Sequence, residues 1–161
     1  MSDSVRPSSF FGVVSFLSGS SLIFFGIVSL AITLFSFGWL AVFVSMALLV
    51  HGVVELVARN RVLNDGSRVH ARVLVRNQLA LALSVSIYSL GMILQQDGGA
   101  LQSELIREIL VLYPSEVRQM IEESIPMLTR IFYSLVILVV CVGAASTAFY
   151  YDRQTRGLSG S

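Results

Sequence analysis

PSSFFGVVSFLSGSSLIFFGIVSLAITLFSFGWLAVFVSMALLVHGVV, residues 7–54, runs for 48 positions without an aspartate, glutamate, arginine or lysine. A helix on the surface of a soluble protein must turn one polar face to water, and no such face exists here. A bilayer crossing needs ~20 apolar residues to span ~30 Å of hydrocarbon, so this run is long enough for two crossings. Its natural break is Ser36-Phe37-Gly38, with Trp39 just beyond, where small and interfacial residues suit a tight hairpin. Residues 10–57 therefore read as a transmembrane hairpin.

Working outward, two further apolar stretches follow. Residues 77–96 form a third crossing, bounded by Arg76 and Asp97, and residues 127–151 a fourth, with Tyr150 and Tyr151 as its interfacial anchor. The chain of 161 residues is 55% hydrophobic and 13% charged, with mean hydropathy +0.78. The expected fold is all-α: a polytopic membrane protein, a four-helix bundle of transmembrane helices with a short amphipathic extracytoplasmic helical segment between helices 3 and 4.

The arginines set the orientation. Arg6, Arg59, Arg61, Arg68, Arg72, Arg76, Arg153 and Arg156, eight of eleven, fall on one side of the membrane. Arg107, Arg118 and Arg130 fall on the other, among Asp97, Glu104, Glu108, Glu116, Glu122 and Glu123. The positive-inside rule makes the N-terminus (1–9), the basic loop 58–76 and the tail 152–161 cytoplasmic, and 97–126 extracytoplasmic. Arg6 ahead of an apolar stretch is how a signal peptide begins. This stretch runs far beyond an h-region of ~7–15 residues and no A-x-A-like site follows, so it reads as a retained crossing.

Both loops carry helical signals. Asn64-Asp65-Gly66 is turn chemistry, and Arg68, Arg72 and Arg76 then recur every four residues, one stripe on a helix leading into the third crossing. Such a stripe is placed to contact anionic lipid headgroups, besides fixing topology. On the acidic side, Ser103 caps an apolar face of Leu105, Ile106, Ile109, Leu110 and Tyr113. After Pro114-Ser115 the period continues through Val117, Met120, Ile121 and Ile125. This predicts two short amphipathic helices, with Pro126 in the first turn of the last crossing.

Composition excludes several functions. A net charge of +1 and basic stretches without interleaved aromatics argue against nucleic acid. The single Cys141 excludes an intramolecular disulfide, and two histidines plus one cysteine in separate segments make no ordinary zinc cage. There is no phosphate loop, HExxH or GxSxG. The expectation is a non-enzymatic protein without catalytic residues, metal or cofactor.

Two patterns carry information. In the first crossing Gly12, Gly19, Gly26 and Thr33 recur every seven residues, interleaved with Ser15, Leu22, Ser29 and Ser36. Helices associate in lipid by close backbone approach, which needs small residues, and a 3.5-residue period implies a left-handed crossing. This helix-packing seam of Gly12, Ser15, Gly19, Gly26, Ser29 and Thr33 fits either an interface between chains or packing on the chain's own second or fourth helix. The second pattern is His51 and Glu55, ionisable groups four residues apart on one helical face. His51 lies roughly 18 Å below Trp39 at 1.5 Å per residue, and Glu55 one turn deeper. They make a candidate ion or proton site, because ionisable groups inside a crossing are costly and face an interior. The plainer expectation pairs Glu55 with Arg59 at the interface.

Gly19 and Gly26, followed by Gly52-Val53-Val54-Glu55 and Leu56-Val57-Ala58, carry a resemblance as well. The segment from Leu17 to Asn60 resembles the two-helix repeat of the HdeD-like acid-resistance membrane proteins, with a glycine-spaced first helix and G-x-x-E late in the second. Ser36-Phe37-Gly38 replaces the proline usual between the helices, and only one copy of the hairpin is present. The resemblance implies a small, multi-pass protein of the bacterial inner membrane with a stress-related role.

Two functions follow as expectations. One is assembly, as a homo-oligomer or with a membrane-protein partner, through the small-residue seam. The other is an oligomeric channel or proton/cation conductor, with Ser15, Ser29 and Ser36 along the path and His51 and Glu55 near its cytoplasmic end.

Overall fold

The computed structural model describes residues 9–36, 39–95, 108 and 111–156. Among the described residues the fold is built of four long helices: α1 (Ser9–Ser36), α2 (Trp39–Asp65), α3 (Arg68–Gln95) and α4 (Ser115–Thr155). All four are long and apolar enough to cross a membrane. The chain is an all-α membrane protein with no strand among the described residues.

Successive helices run antiparallel. Gly12 lies by Leu63 and Gly26 by Leu49; Gly91 lies by Leu40, while Glu55 meets Gln78. Tyr88 meets Tyr133 edge-to-face, and Arg68 reaches Arg156. Each helix lies along its sequence neighbour. α1 also meets α4 at the end where the helices carry their arginines, through the edge-on rings Phe10–Tyr150 and Phe11–Tyr151. That arginine-rich end is closed by a core of Phe11, Ala58, Val62, Ala71, Leu74 and Tyr151.

The burial pattern is that of a protein in lipid. Phe24, Ile32, Leu83 and Val139 lie outside, each about two-thirds exposed, whereas Ser15, Thr33, Ser45, Asn77, Gln78 and Ser89 are buried. Lipid tails solvate the large apolar side chains as well as a protein core does, so the interior is left to small and polar groups that pack closely and hydrogen-bond.

Within the expected cytoplasmic segment 58–76 the non-helical part is two residues, and the helix expected from the arginine spacing is the start of α3. α2 continues through Asp65, and Gly66, at φ +60°, donates its N–H to the Val62 carbonyl at 3.1 Å. This is the left-handed helix cap that glycine adopts without a Cβ clash. Ser67 then caps α3, its Oγ 3.5 Å from the His70 N–H. The expected break at Pro126 is also corrected, since α4 begins at Ser115 and carries Pro126 within it. Proline removes one backbone hydrogen bond and its ring crowds the carbonyl one turn back, yet the helix continues on both sides of it. Of the two expected outer helices, the second is the first turns of α4, and the first falls almost wholly outside the described residues. At ~1.5 Å per residue, α4 reaches about 60 Å, twice the hydrocarbon thickness.

Candidate functional site

Glu55 is fully buried, and among the described residues it is the only acidic group so placed. Its carboxylate is held from the other three helices. Gln78 Nε2 of α3 donates to Oε2 at 2.9 Å, and the Tyr151 hydroxyl of α4 donates to Oε1. The Ser18 hydroxyl of α1 lies within hydrogen-bonding reach of both Glu55 and Tyr151. The expected Glu55–Arg59 pair does not form. Arg59 turns outward along α1, donating from Nε to the Gly12 carbonyl at 2.8 Å, from Nη1 to Asn60 Oδ1 at 2.9 Å, and lying 5.4 Å over the Phe16 ring. Close packing explains the choice: glycines at 12, 19 and 52 bring α1 against α2, so the Gly12 carbonyl comes within reach of the guanidinium. The carboxylate keeps neutral donors only.

This cage suits either protonation state of Glu55. As a carboxylate it accepts from Tyr151 and Gln78. As an acid protonated on Oε1 it donates to the Tyr151 oxygen, and the phenol proton turns to Ser18. Two hydroxyl rotations separate the states, and every polar group keeps a partner, as burial requires. Tyr151 is therefore a structural strut that links α4 to Glu55 of α2. Tyr151→Phe should cost about 1–3 kcal/mol of stability, the penalty of removing one partner from a buried polar group. The neighbouring Tyr150 hydroxyl is buried without a partner among the described residues, so Tyr150→Phe should leave stability unchanged or slightly raised. Chemical unfolding of both variants in one detergent compares them.

His51, one turn along α2, is tied to α3. Asn77 Nδ2 donates to the His51 carbonyl at 3.0 Å, which fixes the amide and points Oδ1 at His51 Nδ1, 2.7 Å away. Because Oδ1 only accepts, Nδ1 carries a proton. Nε2 lies 3.3 Å from Ser84 Oγ, whose single proton goes either to Nε2 or to the Ala80 carbonyl at 2.9 Å. With the hydroxyl on Ala80, Nε2–H of an imidazolium donates to Ser84. One hydroxyl rotation thus accommodates neutral and charged His51.

Beyond His51 the interior stays polar. Ser45 of α2 hydrogen-bonds Ser29 of α1 at 2.7 Å, and Ser89 of α3 is fully buried with no partner for its hydroxyl among the described residues. Thr33 is buried farther along, on the Ser29 carbonyl at 2.7 Å. At ~1.5 Å per residue, Ser45 lies about 15 Å from Glu55 along α2.

The seam residues Gly12, Ser15, Gly19, Gly26 and Thr33 are all buried, and its glycines lie against α2. A methyl on Gly19 would sit 2.9 Å from Leu56 Cδ2, and one on Gly26 2.8 Å from Leu49 Cγ. Ser15 bonds its own helix, to the Phe11 carbonyl at 2.7 Å. The seam thus serves the chain's own hairpin. Of the basic stripe, Arg68 and Arg72 line a pocket with residues of α4, and Arg76 is exposed outside it.

Sequence reading overlooked Ser18, Asn77, Gln78, Ser84 and Tyr151 as members of the site. Asn77-Gln78, two amides entering an apolar crossing, was the available signal, but it reads equally as a boundary. Tyr151, expected as an interfacial anchor, is fully buried because its ring completes the apolar plug and its hydroxyl reaches Glu55.

Compared with known protein families, with curated proteins and with solved structures, the chain matches none.

Proposed function

We propose that this chain is a proton-conducting membrane protein in which Glu55 and His51 take up and pass on protons inside the four-helix bundle. The observation that carries this reading is the fully buried Glu55, caged by neutral donors from three other helices and one turn from a histidine whose partners suit both charge states. Ionisable groups inside a membrane bundle are expensive and mark proton or ion pathways by default. A structural role alone is served as well by glutamine at 55.

The route would run from the end bearing Ser29, Ser45 and Ser89 through His51 to Glu55, and past the Phe11–Tyr151 plug by way of the Tyr151 hydroxyl. Protons move between hydrogen-bonded groups and bound water, so no open pore and no ring of subunits is needed. This removes the reason to require an oligomer for conduction. The arginine-rich end would face the cytoplasm by the positive-inside rule. The likeness of residues 17–60 to the HdeD-like repeat favours a bacterial inner membrane and an acid-stress setting.

Proteoliposomes carrying a pH-sensitive dye test the reading. The wild type should pass protons under an imposed potential. Glu55→Gln should abolish the flux, and His51→Ala should lower it at least tenfold, the scale of losing one proton-transfer group. No wild-type flux, or equal flux in a folded Glu55→Gln protein, would remove the proposal.

A further inference from the structure

The arginine-rich end carries a second built feature, independent of Glu55. Where α3 begins and α4 ends, Arg68, Ala71, Arg72, Asp152, Thr155 and Arg156 line a pocket of about 250 Å³. Its charges are partly committed. Arg156 grips Asp152 with two donors, Nε at 2.9 Å and Nη2 at 2.6 Å, so these two neutralise one another. Arg68 spends Nη2 on the Arg156 carbonyl at 2.8 Å and keeps its other donors. Arg72 is exposed and makes no hydrogen bond or ion pair among the described residues. The pocket is left with an excess of two positive charges, both arginine, at the first turns of α3.

We propose that this pocket binds a phosphoryl group, with Arg68 and Arg72 as its ligating pair and the Arg156–Asp152 pair as its fixed wall. Guanidinium forks match phosphate oxygens two at a time, which a lysine cannot do. The α3 N-terminus adds a favourable partial charge beside both arginines. The volume accommodates a phosphate with part of what it is attached to. Its position at the end of the crossings places it at the depth of lipid headgroups, so the group can belong to an anionic phospholipid or to a free phosphate compound. Arg76, two turns above Arg68 and outside the pocket, takes no part. The expected three-arginine lipid stripe thus becomes a two-helix site that α4 completes.

The test is thermal unfolding of the full chain, delipidated in a neutral detergent. Phosphatidylglycerol, phosphatidylcholine or inorganic phosphate is added in turn. Stabilisation by phosphatidylglycerol and not by phosphatidylcholine supports a lipid source; stabilisation by millimolar phosphate without lipid supports a soluble one. In either case Arg72→Ala should weaken the apparent affinity about fivefold and Arg68→Ala plus Arg72→Ala about twenty-five-fold, the scale of one surface arginine each. Arg76→Ala should leave it unchanged. No stabilisation by any of the three, or an equal loss from Arg76→Ala, overturns the site in favour of a diffuse basic surface. Because Arg72 is exposed and makes no hydrogen bond or ion pair among the described residues, its variant keeps the fold. Glu55→Gln should bind as the wild type does, which separates this site from the proton reading.

Discussion

Glu55→Ala is expected to destabilise the bundle by about 3–5 kcal/mol, while Glu55→Gln changes stability by less than about 1 kcal/mol. Alanine removes the acceptor of both the Tyr151 hydroxyl and the Gln78 amide and leaves a void where all four helices meet. The cost therefore joins two orphaned buried donors to a cavity. Glutamine has the same shape and satisfies the same partners: its carbonyl accepts from Gln78, and its amide donates to the Tyr151 oxygen, whose proton turns to Ser18. What glutamine cannot do is exchange a proton. The pair of variants thus separates the structural role of position 55 from its chemistry. Unfolding of wild type and both variants in mild detergent checks it, and a Glu55→Gln protein as unstable as Glu55→Ala would contradict the cage described above.

Gly52→Ala should cost about 2–3 kcal/mol, near the top of the range for overpacking a tight interior. Its methyl would lie 2.7 Å from Ile23 Cγ1, 2.8 Å from the Gly19 carbonyl oxygen and 3.0 Å from the Ile23 nitrogen. Two of these three are backbone atoms, so relief requires α1 and α2 to part. That movement would also draw the Gly12 carbonyl from Arg59 and Ser18 from Glu55. Gly143→Ala is the control, since nothing lies within 4 Å of its added methyl, and its stability should hold or rise by up to about 1 kcal/mol, the helix preference of alanine over glycine. Equal effects at the two positions would show that the α1–α2 approach is not what glycine 52 serves.

The four crossings were legible because lipid imposes a length and a composition that a sequence displays directly. The heptad of small residues was legible for the same reason, although spacing alone left open what would lie against it; the structure puts Leu49, Gly52 and Leu56 there. Boundaries were less legible. The helical periods of residues 58–65 and 115–125 were present, but arginine clusters and Pro126 resemble interruptions when read along the chain. In three dimensions the helices simply continue through them. The site was half legible. His51 and Glu55 are conspicuous as ionisable groups inside a crossing, yet their partners are neutral and lie 23, 26 and 96 residues away from them. Neutral amides, serines and tyrosines are common in membrane helices, and only packing shows which of them face a carboxylate. Arg59, close in sequence, was the natural partner to expect, and the close approach of α1 gave it a carbonyl instead.

The central claim, that Glu55 binds and releases a proton inside the bundle, is tested most directly by infrared difference spectroscopy. Spectra are recorded on the full chain in lipid as the pH steps between about 4 and 9, a range that brackets ordinary carboxyl and imidazole titrations. A protonated-carboxyl component that rises and falls with pH in the wild type, and drops out of the Glu55→Gln spectrum while the bands of the nine other carboxyl side chains remain, is the predicted result. A pH-dependent spectrum that is identical in the wild type and a folded Glu55→Gln protein would contradict it, and Glu55 would then be a packing residue that exchanges no proton.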